Sequence, residues 1–181
     1  MKKFMLVAAI ILASIATVSG EIERVGRMEG SKMKLYWWPK LQIPKGWVHD
    51  EELSFDKSSN MLLPKGKTFN DAPTLIYGRA FYNKDKVARG SFKDFYKDDL
   101  DTMRKNTENF QITQVKDGLK DAKGDVLPTF DCHYNGETYD EICYGEEEGG
   151  DYRTMIIMSS TSKEAFAKDL PTYRQIVASY K

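Results

Sequence analysis

The sequence predicts an α+β domain over residues 21–181, with a largely antiparallel β-sheet flanked by two main helices. Three observations carry this. Strand-like segments group around two helical segments instead of alternating with them, which argues against a parallel, crossover-connected sheet. An amphipathic helix with its own capping residue begins at Ser91. The run Tyr152 to Ser159 is almost continuously apolar, as suits a strand covered on both faces.

Taken in order, residues 33–38 (Met-Lys-Leu-Tyr-Trp-Trp) predict a first strand, stopped by Pro39, and Leu41 to Ile43 lead into the turn signal Pro44-Lys45-Gly46. A short strand is expected from Asn60 to Leu63, ended by Pro64-Lys65-Gly66, and a long one from Pro73 to Tyr82. Ser91 and Asp94 then have the spacing of a near capping box. Phe92, Phe95, Tyr96, Leu100 and Met103 form one apolar helical face, with Lys93, Asp94, Lys97, Asp98, Asp101 and Lys105 on the opposite side. Gln111 to Val115 alternates as a strand, and residues 126–134 with 138–145 form a hairpin about Asn135-Gly136. The C-terminus predicts helix, break, helix: Thr161 and Glu164 make a capping box, and Pro171 opens a second segment carrying Tyr173, Ile176, Val177 and Tyr180.

Residues 1–20 have the organisation of a cleavable secretory signal: Lys2 and Lys3, an apolar stretch from Phe4 to Val18, and small residues before an expected cut after Gly20. An uncleaved N-terminal anchor is the alternative. The expected location is periplasmic or secreted, with no stable membrane insertion after cleavage, since no other segment approaches spanning length. The 27 basic and 27 acidic residues balance, and losing Lys2 and Lys3 leaves the remainder slightly acidic. A chain built to grip nucleic acid carries a clear positive excess, so nucleic acid is not an expected partner.

An oxidising compartment favours a disulfide between Cys132 and Cys143. The hairpin register opposes it. A two-residue Asn135-Gly136 turn sets Cys132 opposite Tyr139 and leaves Cys143 four residues further along, about 13 Å away at about 3.3 Å per residue. A wider loop would restore the bond.

Tyr139-Asp140-Glu141-Ile142-Cys143-Tyr144-Gly145-Glu146, the strand ending Met158-Ser159-Ser160, and the segment from Leu170-Pro171-Thr172-Tyr173-Arg174 to Tyr180 resemble the PsbP-like fold family. That family includes the extrinsic photosystem II protein and a Ran-binding nuclear import factor. The resemblance covers residues 70–181 and implies an α/β/α sandwich and a binding or assembly role. Leu63-Pro64-Lys65-Gly66-Lys67-Thr68-Phe69, followed by Ala72-Pro73 and Ile76-Tyr77, is also similar to small exported bacterial proteins of unassigned function. Neither resemblance brings a catalytic motif with it.

Nucleophile-elbow, phosphate-loop, dinucleotide and zinc-helix motifs are absent from the sequence, and no cofactor is expected. Cys132 and His133 are strand neighbours, so their side chains point to opposite faces and do not pair as nucleophile and base. His49-Asp50 is the surviving candidate for acid–base chemistry, weighed against an ordinary turn histidine. Glu146-Glu147-Glu148 with Asp151 has oxygen ligands but not the spacing of a calcium loop, so no metal is expected.

The richest feature is aromatic. Tyr36, Trp37, Trp38 and Trp47 crowd together, with His49 close by. On a strand Trp37 and Trp38 face opposite sides, so one enters the core while the other is free to anchor a partner. The expected function is an exported, non-enzymatic module recognising a protein partner in the cell envelope, as an assembly factor or an inhibitor of the immunity type, with Trp37, Trp38, Trp47 and His49 as candidate binding residues. The alternatives are a small periplasmic hydrolase or metal-dependent enzyme using His49 and Asp50, and an envelope structural protein.

Overall fold

Two strands near the N-terminus, β1 (Ile22–Glu29) and β2 (Lys32–Pro39), pair over their whole length into a ribbon turned at Gly30-Ser31. The computed structural model describes residues 22–83, 90–147 and 149–180. The expected signal segment 1–20 and the expected cut after Gly20 lie outside the described residues. β3 (Trp47–His49), the short helix α1 (Glu51–Lys57), β4 (Asn60–Pro64) and β5 (Thr74–Tyr82) follow the ribbon. Helix α2 (Phe92–Asn106) precedes β6 (Gln111–Gln114), β7 (Leu119–Lys120), β8 (Val126–Leu127) and β9 (Thr129–Tyr134). The chain closes with β10 (Thr138–Glu146), β11 (Tyr152–Ser160) and α3 (Lys163–Ser179).

Among the described residues the main sheet has the order β3-β4-β5-β11-β10-β9-β6, with every neighbouring pair antiparallel. The fold is therefore α+β, with the apolar run Tyr152–Ser160 at the centre of the sheet, as its composition predicts. α3 covers one face through Tyr173, Ile176 and Val177, packed on Leu62, Ile76, Cys143, Ile156 and Met158. α2 covers the other through Phe95 and Leu100, against Phe130, Cys132, Ile142, Tyr144 and Ile157. Each such fully buried apolar side chain contributes about 1.5–3 kcal/mol relative to exposure. α2 starts where predicted: Ser91 accepts from the Asp94 N–H, and the Asp94 carboxylate accepts from the Ser91 N–H.

Two expectations are corrected. The C-terminal segment is one helix, not two. Pro171 lies inside α3, where proline normally costs about 3 kcal/mol, yet the helix stays whole because residues on both sides of it share one buried face: Ala165 before, Tyr173, Ile176 and Val177 after. The Tyr173 hydroxyl donates to the Ile156 carbonyl at 2.7 Å and pins that face to the central strand. The cap is Ser162, not Thr161. Ser162 Oγ accepts from the Ala165 N–H, while the Thr161 N–H donates to the Pro73 carbonyl.

The second correction is the hairpin register. Asn135 and Gly136 both have positive φ, as a tight turn requires, but Glu137 joins the loop and Tyr134 faces Thr138. This register pairs Phe130 with Ile142 and puts both against α2. The two-residue alternative would set Phe130 opposite Glu141, and a one-residue slip exchanges the faces of a whole strand. Cys132 now faces Asp140, so Cys143 points to the opposite side of the sheet. The thiols are buried in separate cores and free. Burial pushes each up to about 12, so neither is a reactive thiolate near neutrality.

Candidate functional site

The ribbon is seated on the α3-covered face of the sheet by its last residue. Pro39 lies over Gly78, where a Cβ would come within 2.3 Å of Pro39 Cγ, and the Pro39 carbonyl accepts from Asn60 Nδ2 at 2.9 Å. Only glycine at position 78 leaves room for the Pro39 ring to lie this close to the β5 backbone. From this seat the ribbon runs out past the end of β5, and strand alternation divides its side chains between two faces.

One face is closed. Tyr36 and Trp38 meet Phe55 of α1 with ring centroids 5.2 and 5.5 Å away, and Trp38 is only 2% exposed. The other face builds a stack. Trp37 lies on Tyr82 with centroids 6.2 Å apart and planes 15° from parallel, and Tyr82 lies on Tyr152 at 5.1 Å. The Arg24 guanidinium sits 6.0 Å from the Trp37 ring centroid. Arg24 and Trp37 are cross-strand partners in the ribbon, and Tyr82 and Tyr152 are cross-strand partners in the sheet, so two ladders of pairs stack on each other. Burial, helped by the nearby Glu147 carboxylate, raises the Tyr152 hydroxyl above the ordinary range, so it is a neutral donor. The same ribbon face continues outward through the pairs Gly26–Leu35 and Met28–Met33. Tyr82 is 50%, Met28 57% and Met33 66% exposed. Thioethers and flat rings on one open face suit an apolar, adaptable contact, not bond-making chemistry.

The other residues singled out in the sequence lie apart from this face. Trp38 is the tryptophan that enters the core. Trp47 packs half-buried against the α3-side core. His49 is exposed, with Nε2 2.9 Å from Ser54 Oγ. The pairing of His49 with Asp50 is not made: the Asp50 carboxylate caps α1 by accepting from the Leu53 N–H at 3.0 Å. Ser54 Oγ is buried and already donates to the Asp50 carbonyl and accepts from the Met61 N–H. In the acidic loop, Glu146 accepts from Arg153 Nε at 2.9 Å, and Glu148 lies outside the described residues. No group of three or more metal-ligating side chains converges among the described residues.

Sequence reasoning missed Arg24, Tyr82 and Tyr152. It also missed a carboxylate pair on the α3 side of the sheet. Asp131 and Glu141 are cross-strand neighbours, and Glu141, 0% exposed, accepts from Arg174 Nε and Nη2 at 3.0 and 2.5 Å. Burial, then the hydrogen bond and charge of Glu141, push the Asp131 carboxyl up to about 6, with Arg174 pulling the other way. A folded-state value above the ordinary 3.8 means that this group's stabilising contribution is complete below about pH 4 and is lost as pH rises through about 6. Asp131→Asn, which keeps a donor toward Glu141, is expected to flatten this stretch of the stability–pH curve. It should also raise stability at neutral pH by about 1 kcal/mol, the full shift being reduced by solvent at a half-exposed group. Urea midpoints at about pH 4 and pH 7 check it.

No family model matches the chain, and no curated protein matches it. Among solved structures, the chain is similar to the cyanobacterial PsbP protein of Synechocystis sp. PCC 6803, with 15% identity and a TM-score of 0.41 over 94% of this chain and 98% of that one. It is also similar to a protein of unknown function from Pseudomonas aeruginosa, described as a candidate regulator, with 10% identity and a TM-score of 0.48 over 84% of this chain and 92% of that one. The PsbP-like resemblance thus has a counterpart among solved structures.

Proposed function

We propose that this chain is an exported, non-enzymatic binding module that recognises a protein partner in the cell envelope through the open face of the β1–β2 ribbon. The observation that supports this best is the Arg24–Trp37–Tyr82–Tyr152 stack, continued by the exposed Met28–Met33 pair. Rigid aromatic anchors flanked by flexible thioethers contribute a large share of binding energy at protein interfaces. The leader-like segment at residues 1–20 supports the envelope setting, and no helix among the described residues is long and apolar enough to cross a membrane.

The test is affinity purification of the tagged chain from an envelope fraction, beside its Tyr82→Ala variant. One protein is expected to co-purify in stoichiometric amount with the unaltered chain. The variant, which truncates a half-exposed ring and leaves the core intact, is expected to bind it about 30-fold more weakly, the equivalent of a loss of about 2 kcal/mol. Equal recovery by both chains, or recovery of a small molecule with no protein, contradicts the proposal.

A further inference from the structure

A second surface lies on the opposite face of the sheet. Among the described residues the strand order ends at β6, which pairs with β9 alone, so one edge of its backbone has no described strand beside it. α2 runs next to this edge, and between them lies a groove of about 420 Å³. Its floor is Tyr96, Leu100, Ile112 and Phe130. The floor is held in place by aromatic contacts: Tyr96 lies 5.8 Å from Phe130 and 5.7 Å from Tyr144, whose hydroxyl donates to Asp99 at 2.7 Å. Lys93 and Lys97, one helical turn apart on α2, stand exposed on the rim and have no ion pair among the described residues. Arg104, also on the rim, is held by Asp101 at 2.8 Å.

An open strand edge, an apolar floor and a cationic rim together specify a ligand with a backbone, an apolar side chain and carboxylates. We infer that the α2–β6 groove takes an extended acidic segment of a partner protein, added as a strand to β6, with one apolar side chain over Leu100 and Phe130 and flanking carboxylates at Lys93 and Lys97. Strand addition draws affinity from main-chain hydrogen bonds and specificity from alternate side chains, which all face one side of the sheet. An acyl chain with a carboxylate shares the floor and rim but makes no use of the strand edge, so the peptide is favoured. This surface is independent of the ribbon face.

The test titrates the whole chain with a fluorescein-labelled peptide, Glu-Asp-Val-Phe-Val-Asp-Glu, in which Asp, Phe and Asp share one face of an extended strand. Fluorescence anisotropy is expected to show saturable binding. The peptide with Lys in place of its acidic residues, and the same peptide N-methylated at alternate backbone positions, are each expected to bind at least tenfold more weakly. Lys93→Glu with Lys97→Glu, both on the exposed rim, should weaken binding at least tenfold with the thermal midpoint unchanged, and Ile112→Ser should weaken it through the floor. No saturable binding overturns the inference. Binding indifferent to N-methylation overturns the strand addition, and binding of palmitate with no binding of the peptide assigns the groove to an anionic lipid instead.

Discussion

Replacing Arg174 with alanine is expected to destabilise the protein by about 3 kcal/mol at neutral pH, the lower end of the range for stripping a partner from a buried charge. Glu141 is fully buried, and both of its oxygens accept from the Arg174 guanidinium, the one cation paired with it among the described residues. Asp131, directly across the strand pair, already resists ionising beside Glu141, so the variant leaves two carboxyl groups facing each other with nothing to neutralise them. The loss stays at the low end because the Arg174 side chain is 41% exposed, which lets water reach the vacated position. The loss should shrink on acidification, as the Asp131 carboxyl takes up a proton and no longer faces Glu141 as a second charge. Adding Glu141→Gln to Arg174→Ala should recover most of it, and the double-mutant cycle from urea unfolding measures the coupling directly. Equal losses at about pH 5 and pH 7, or no recovery in the double variant, would remove this ion pair as the link between α3 and the hairpin.

The second large effect separates two neighbouring tryptophans. Trp38→Ala is expected to cost about 3–5 kcal/mol, because the indole fills the space between Tyr36 and Phe55 and joins the ribbon to α1. Trp37→Ala should cost far less stability. Its ring is half-buried and rests on Tyr82, whose other contact, Tyr152, stays in place. The two variants therefore exchange signatures: at position 38 the thermal midpoint falls, and at position 37 partner affinity falls. Hydrogen exchange over residues 22–39 should quicken in the Trp38 variant before the central strand responds, since the cluster it closes is separate from the two sheet cores.

Much of this architecture is written locally. The Ser91–Asp94 box, the apolar run of the central strand and the opposite facing of Trp37 and Trp38 need only nearest neighbours, and all three are legible in the sequence. What is not legible depends on partners distant in the chain. Residues 22–29 gain strand structure by pairing with β2 and show too little apolar alternation to announce it. α1 has seven residues, too few for a helical period to emerge, and its one cue, Asp50 as a cap, reads in the sequence as a partner for His49. Asn135-Gly136 signals a two-residue turn, but the burial of Phe130 beside Ile142 sets the register. Pro171 signals a helix break, and the shared buried face across it prevents one. The site divides the same way. Trp37 stands out as one of a crowded group, while Arg24, Tyr82 and Tyr152 come from three separate strands and become one surface only when the ribbon is seated on Gly78. Lys93 and Lys97 look like ordinary solvated positions until the sheet is seen to end at β6.

If the ribbon face holds the partner, the hydrogen-exchange footprint of the complex falls on the ribbon. With the co-purified partner bound, slowed exchange is predicted in residues 24–37 and at the strand ends around Tyr82 and Tyr152, with α3 and the core of β11 unchanged. Protection confined to other surfaces, with the ribbon exchanging as fast as in the free chain, would exclude the ribbon face as the place where the partner is held.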